Sequence, residues 1–428
     1  MVPSFGHVLV TAVLAQVALV SALPPKVRSD LINGNGRASI RQEPGDVVDF
    51  HGPEAIYNAF IKYGVEPPEH VKQATALVRR TNTKRITGST PASPQDPWDT
   101  AQRVYVNVGT PPRRFATQFD TGSADFWLVS TAMPKNETVQ YELLYDPKLS
   151  STANLMEGYS WRVQYVSGGF ALGNVYSETV NIAGITMPNY PLEAVVDESP
   201  SFSTVSAAKG LIGMGFQIKN RVLPVQQPTF FDAIVDKLDL PVFTADMKHA
   251  YLQGSYNFGY IDNRLYNGSI IYSPIDSSQG YWNWTCLGYA IGDDTSLKSV
   301  DIAGVVDTGT SILLLPAAVV SEYWSRVPGS ENSASLGGWV YPCGTPLPSF
   351  SIGIGGGANI TIPPAYMKDG PFPDGVTCFG SLQESTGLPF SLFGLTAIKS
   401  AFVVYNRSDP PTIGWASKDL NGLTLNYP

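Results

Sequence analysis

The stretch FDTGSADFWLVS, Phe119 to Ser130, decides how this 428-residue chain is read. It carries one carboxylate, Asp120, straight from an apolar strand into a Thr-Gly turn. Strands rarely bury an Asp unless something holds its charge. VVDTGTSILLLP, Val305 to Pro316, repeats the design 187 residues later. One Asp-Thr-Gly is an ordinary turn. Two copies, each preceded by apolar residues and followed by hydroxyls, read as a duplicated site.

Working outward, the duplication extends to the flanks. Leu211-Ile212-Gly213 follows the first Asp and Leu392-Phe393-Gly394 the second, with the glycines 93 and 87 residues on. Near-equal spacing of two paired elements supports an internal repeat. Alternating patterns predict strands from about Arg103, with a Gly-Thr-Pro-Pro turn before Asp120, and a long hairpin over Tyr159 to Gly184. Thr229 to Leu238 and the AAVVSEYWSRV stretch read as helices, and GIGGGA, Gly353 to Ala358, as a hairpin turn rather than a phosphate loop. With 40 Gly, 34 Pro and 15% charged residues, the body is expected to be mainly β, in two lobes.

The first residues differ. The apolar run Val8 to Val20 ends in Val-Ser-Ala and predicts a signal peptide over residues 1–22, hence a secreted, extracellular protein without stable membrane association. Residues 23–85 hold 10 Lys/Arg against 7 Asp/Glu, leaving 18 and 29 for the rest. A basic-leaning leader before an acidic body predicts a pro-segment held partly by charge. Lys84-Arg85 and Arg79-Arg80 are candidate processing sites. The expected divisions are signal 1–22, propeptide 23–85, N-terminal lobe 86–265 and C-terminal lobe 266–428.

Composition also excludes. Net charge is −8 with no basic patch, which argues against nucleic acid as a partner. Only His7, His51, His70 and His249 exist. That scarcity argues against a Ser-His or Cys-His hydrolase and a multi-His metal site, so no metal or cofactor is expected. Of Cys286, Cys343 and Cys378, two can pair and one is left over. Sequons stand at Asn136, Asn267, Asn283, Asn359 and Asn406, of which Asn283 lies in an aromatic strand.

Two Asp on equivalent turns of two lobes can meet across a pseudo-twofold axis. At hydrogen-bond distance they cannot both ionise, so they share one proton. The ionised member can take a proton from a water between them, and the protonated one can polarise a carbonyl. Gly122 and Gly309 lack Cβ and let backbone amides approach the carboxylates. Thr121 and Thr308 can lock the turns together; Ser123 and Thr310 can donate to the outer carboxylate oxygens.

From Arg103 to Ser417 the chain resembles the pepsin-like aspartic proteases, most closely the secreted fungal aspergillopepsin and penicillopepsin type. FDTGSADFW, VVDTGTS, YDPKLSSTA, SYNFGYID, LIGMGF and FGLTAIKSAFVVYN carry the resemblance. It implies a bilobal, nearly all-β fold with a substrate cleft between the lobes, and Asp120 and Asp307 as the catalytic dyad. It also implies that Tyr165 and Gly168 belong to a flap over substrate, that Trp127 supports Tyr165, and that Phe202 lines a pocket. Cys343 and Cys378 match the family's disulfide. Val166 and Ser167 depart from the usual flap tip, and the missing carboxylate at Ser167 implies weak acceptance of Lys beside the cut bond. The leader resembles a pro-segment that inhibits its own enzyme, with Lys62 or Lys72 facing the aspartates.

The expected protein is thus a monomeric, secreted aspartic endopeptidase made as a zymogen. It cuts polypeptides in acid and prefers apolar residues around the cut. The rival reading is a catalytically silent relative that binds peptides or proteins.

Overall fold

The computed structural model describes residues 26–28, 41–43, 60, 66–73, 86–94, 101–133, 143–164, 169–199, 210–249 and 252–420. The flap tip with Tyr165, Val166, Ser167 and Gly168, Phe202, Asn136, Lys62, both dibasic pairs and the signal stretch lie outside the described residues. The chain divides into two compact units, Met1–Thr83 and Lys84–Pro428. In the first, the strands Lys26–Arg28 and Arg41–Glu43 pair antiparallel. A helical turn covers residues 69–73, where Lys72 Nζ lies 2.7 Å from Glu66.

The second unit is built on strands. Gln102–Val108 buries every second residue, Val104, Val106 and Val108 among them, and pairs antiparallel with Arg113–Asp120, which turns Phe115, Thr117 and Phe119 inward. A one-residue slip would turn both apolar sets to solvent, so the register is firmly set. Phe119 packs against Tyr256 and Phe258, with ring centroids 4.8 and 6.0 Å away. Burying such a ring contributes about 1.5–3 kcal/mol, and it fixes the end of the strand from which Asp120 leaves.

This pair belongs to a 15-stranded sheet that also takes in Val242–Asp246, Gly254–Phe258, Ala401–Asn406 and Thr412–Ser417. One sheet therefore joins segments from both ends of the unit. Val242–Asp246 pairs with Ala401–Asn406, and Phe243 stacks on Tyr405 at 4.5 Å. The hairpin expected over residues 159–184 forms between Ser160–Gln164 and Phe170–Ile182. Gly353 to Ala358 turns between two antiparallel strands, Phe350–Gly355 and Ala358–Ile362.

The predicted helices are present but short. Helix α1, Phe230–Ile234, starts on a capping box in which Thr229 and Asp232 each bond the other's backbone amide, then tightens into a 3-10 turn over Val235–Lys237. Helix α2 covers Ala317–Trp324. A third, α3, Leu395–Ile398, is fully buried. Cys343 and Cys378 form a disulfide spanning 35 residues, and Cys286 is a buried thiol. In chain-entropy terms a loop of that length is stabilised by about 4 kcal/mol.

Candidate active site

Each Asp-Thr-Gly turn ends a buried strand, and each strand is braced by a parallel neighbour. Arg113–Asp120 lies beside Gly210–Gly213, with Asp120 opposite Gly213. Ile302–Val306 lies beside Ser391–Phe393, with Val306 opposite Phe393. The two Leu/Phe-Gly elements read as repeats in the sequence are therefore the braces of the two turns. At Gly213 an added Cβ would sit 2.4 Å from the Ala124 backbone, and at Gly394 2.2 Å from the Ile312 carbonyl. Only glycine lets each turn fold back this closely.

The turns are tied to each other by four mirrored hydrogen bonds. The Thr121 hydroxyl donates to the Val306 carbonyl at 2.8 Å, and the Thr308 hydroxyl to the Phe119 carbonyl at 2.8 Å. The Thr308 amide donates to Thr121 Oγ1 at 2.9 Å, and the Thr121 amide to Thr308 Oγ1 at 3.2 Å. Both threonines are fully buried. Each hydroxyl thus both donates and accepts, so neither is interchangeable with an isosteric methyl.

The carboxyls repeat the symmetry. Asp120 Oδ1 accepts from the Gly122 amide at 2.8 Å and Oδ2 from the Ser123 hydroxyl at 2.5 Å. Asp307 Oδ1 accepts from the Gly309 amide at 2.8 Å and Oδ2 from the Thr310 hydroxyl at 2.6 Å. The carboxyls face across the interface of the turns: a Cβ on Gly122 would lie 2.8 Å from the Asp307 carboxyl, and one on Gly309 would touch Asp120 Oδ1. Asp120 and Asp307 are only 6% and 7% exposed. Burial, then the charge of Asp307 and a hydrogen bond to it, push the Asp120 carboxyl well above the ordinary range. The Ser123 hydroxyl and Gly122 amide pull the other way. Two facing carboxyls, one of them with raised proton affinity, can serve as acid and base side by side, the combination that activates a water against a carbonyl.

Trp127 is buried in a cluster with Trp161, Val163 and Val222, at the base of the hairpin that leads to residues 165–168. Sequence reasoning missed Asn220, whose amide nitrogen reaches Asp125 Oδ1 at 3.0 Å and the Ala124 carbonyl at 3.2 Å. It also missed Trp282, whose indole N–H donates to the Met214 carbonyl at 2.9 Å. Neither belongs to a local motif, so no signal in the sequence marked them. Ile312, Leu314, Trp339, Phe379, Gln383 and Glu384 line a hollow of about 400 Å³.

Of the described sequons, Asn267 and Asn359 are exposed. Asn283 and Asn406 are half-buried, and the Asn406 amide donates to Thr412 Oγ1 at 3.0 Å. Among the described residues no cluster of His, Cys, Asp and Glu could hold a metal ion, and no helix is long and apolar enough to cross a membrane.

Duplicated turns carrying two facing, buried carboxyls define the class. A family described as eukaryotic aspartyl protease matches residues 103–418, and the chain belongs to that family. Endothiapepsin of Cryphonectria parasitica is 41% identical over 419 residues, covering 96% of this chain and 99% of that protein. Podosporapepsin of Podospora anserina is 38% identical, covering 93% and 95%. Penicillopepsin-3 of Penicillium janthinellum is 40% identical, covering 83% and 86%. The chain is an aspartic-type endopeptidase, a hydrolase of peptide bonds, and its substrates are polypeptides.

Proposed function

We propose that Asp120 and Asp307 are the catalytic dyad of a secreted endopeptidase, made as a zymogen and active in acid. The observation that supports this most is the mirrored bonding that brings both carboxyls face to face in a buried site. Asp120, whose affinity for protons is raised, keeps the shared proton and polarises the scissile carbonyl. Asp307 accepts the proton of a water set between the carboxyls, and that water attacks the carbonyl carbon. The proton then passes to the departing amine as the C–N bond breaks. Ser123 and Thr310 hold the outer oxygens, and the two glycine amides the inner ones.

Tyr165 and Gly168 would close over the substrate, with Trp127 beneath them and Phe202 lining a pocket. Ser167 and Val166 would tune which bond is cut. Ile312 and Leu314, half-buried beyond the second turn, suit apolar residues near the cut. The leader, residues 23–85, would inhibit until acid loosens it, and the signal over 1–22 would export a monomeric enzyme. Lys72 contributes one acid-sensitive contact there: its hydrogen bond, then its charge, hold Glu66 below the ordinary carboxylate range. Glycans would go on the exposed Asn267 and Asn359.

The test is hydrolysis of a denatured protein from acid to neutral pH, before and after removal of the leader, with pepstatin as inhibitor. Hydrolysis in acid that stops in Asp120→Asn and Asp307→Asn is expected. Absence of cleavage at every pH after removal of the leader would favour a silent binding protein. A precursor equally active at neutral pH before any cleavage would sink the zymogen reading.

A further inference from the structure

Five residues past Asp120 stands another carboxyl, Asp125, and it is 1% exposed. Its Oδ1 accepts from the Asn220 amide at 3.0 Å and from the Arg221 backbone at 2.7 Å. The Asn220 nitrogen also reaches Glu193 Oε1 at 3.4 Å. Glu193 is 1% exposed as well, and its Oε2 has no hydrogen-bond partner among the described residues. Two acids sharing one amide donor, with an orphaned oxygen in a sealed site, are not satisfied as two carboxylates. Burial outweighs the Arg221 amide and the Trp161 indole, which pull Asp125 down, and the Phe126 amide, which pulls Glu193 down, so one proton removes charge that these donors do not offset.

The pair is attached to the proposed chemistry on two sides. Ser123, which donates to Asp120, lies two residues before Asp125, and the Ser123 and Asp125 carbonyls are held by the Gly215 and Gly213 amides at 2.8 Å each. On the other side, Asn220 Oδ1 accepts from the Val222 amide at 3.2 Å. Val222 and Leu223 pair with Trp161 and Ser160, on the strand that leads toward the proposed flap.

The second half of the molecule supplies an internal control. Trp127, seven residues past Asp120, lies opposite Glu193 in a parallel pair. Leu314, seven past Asp307, lies opposite Gln383 in the corresponding parallel pair. A neutral amide therefore stands where the first half has Glu193. Gln383 is fully bonded: Oε1 accepts from the Trp339 amide at 2.7 Å, and Nε2 donates to the Trp339 and Gly380 carbonyls at 2.8 Å each. Ile312 occupies the place of Asp125. Both departures are confined to the first half.

We propose that Asp125 and Glu193 are a second carboxyl pair that holds one proton in the working enzyme, and that this proton positions Ser123 and the strand entering the flap. The positioning role rests on the dyad reading above. Burial raises Asp125 to about 6 against the pull of the Arg221 amide. Burial first, then the charge of Asp125, push Glu193 well above the ordinary range. The other titratable groups facing the pair do not neutralise it. Arg221 is exposed. The Tyr190 hydroxyl donates to the Pro228 carbonyl at 3.0 Å and is pushed up by burial, then by Glu193, Asp232 and Asp125. Asp232 is itself paired with Arg407.

The folded pair thus keeps a proton that the unfolded chain releases. For Asp125 the contribution is whole below the ordinary value of 3.8 and is lost as pH rises through about 6. For Glu193 it is whole below the ordinary 4.5 and is lost only well above the ordinary carboxylate range. The folded-to-unfolded ratio falls by up to about tenfold per pH unit for each retained proton.

The test uses full-length protein after activation, as wild type, Glu193→Gln and Asp125→Asn. Three quantities are read: the pH midpoint of unfolding by tryptophan fluorescence, the pH profile of kcat/KM, and the infrared carbonyl stretch of protonated carboxyls. Glu193→Gln copies the amide of the other half. It should raise the unfolding midpoint by about one pH unit, carry the neutral-side limb of kcat/KM upward with it, and remove one protonated-carboxyl band. Asp125→Asn should move both pH readouts the same way, and it serves if the glutamine variant does not fold. Unchanged midpoints in both variants, or no band lost in Glu193→Gln, would overturn the proposal. A shifted midpoint in a protein that cleaves nothing would instead sink the dyad reading and leave the pair standing.

Discussion

The two Asp-Thr-Gly turns agree where they touch each other and part company five residues on. Up to Ser123 and Thr310 the hydrogen bonds made by the side chains of one turn have their mirrors in the other. Beyond that point the first half is packed with Asp125, Glu193 and Asn220, and the second leaves a hollow between Ile312, Leu314 and Trp339. The difference teaches where the constraint lies. In the proposed mechanism the two carboxyls share a proton, and such a pair needs matched surroundings, because any asymmetry in donors changes which of them ionises. The walls behind them have no such obligation. One is a polar core beneath the hairpin, the other a hollow lined by apolar side chains.

The hardest blow to this symmetry is removal of either carboxyl. Asp120→Asn and Asp307→Asn should each lower kcat on the order of 1,000-fold, and by similar amounts, because each Asp needs the other. Retention of substantial activity by one variant alone would show that the halves are not chemically equivalent. Next come the hydroxyls. A hydrogen bond to a charged group contributes about 1.5–3 kcal/mol, so Ser123→Ala and Thr310→Val should each cost roughly 10- to 100-fold in kcat/KM. Ser123 also lowers the Asp120 value. Its removal should therefore raise that value further and move the neutral limb of the pH profile upward. A downward shift would mean that Asp120 is not the proton holder.

How much of this was legible depends on where the partners lie in the chain. The facing pair of carboxyls was readable because Asp, Thr, Gly and hydroxyl are consecutive, and because a second copy removes the ambiguity of one. That the elements at Gly213 and Gly394 repeat was readable from spacing, but that they brace the turns was not. Asn220 and Glu193 were not, because their contacts with Asp125 and with each other join residues 95 and 27 apart with no periodic pattern between them. Nor could a sequon show that the Asn406 amide is already engaged by Thr412. The sheet that joins Val242–Asp246 to Ala401–Asn406 is hidden for the same reason. Each strand alternates sensibly, but nothing in either names its neighbour.

The halves also differ in their staples. All three cysteines lie in the second half, where Cys343–Cys378 joins the neighbourhoods of two paired strands, Gly338–Pro342 and Thr377–Gly380. Cys343→Ser should cost about 4 kcal/mol of stability in chain-entropy terms, seen as a lower denaturant midpoint, with kcat unchanged on surviving enzyme. The bond lies away from both turns, so a fall in kcat without a loss of stability would tie the disulfide to the site itself.

The mildest change makes the two turns identical. Thr310→Ser keeps the hydroxyl that donates to Asp307 Oδ2 at 2.6 Å and gives the second turn the residue of the first. If the hydroxyl is what the site requires, kcat/KM should stay within about twofold of wild type, because Thr310 is only half-buried and changes outside the packed core cost under about 0.5 kcal/mol. The contrast with Thr310→Val isolates the hydrogen bond, since valine keeps the shape and loses the donor. Equal losses in the serine and valine variants would transfer the role of Thr310 from its hydroxyl to its methyl. The turns would then resemble each other in sequence without sharing a mechanism for holding their carboxyls.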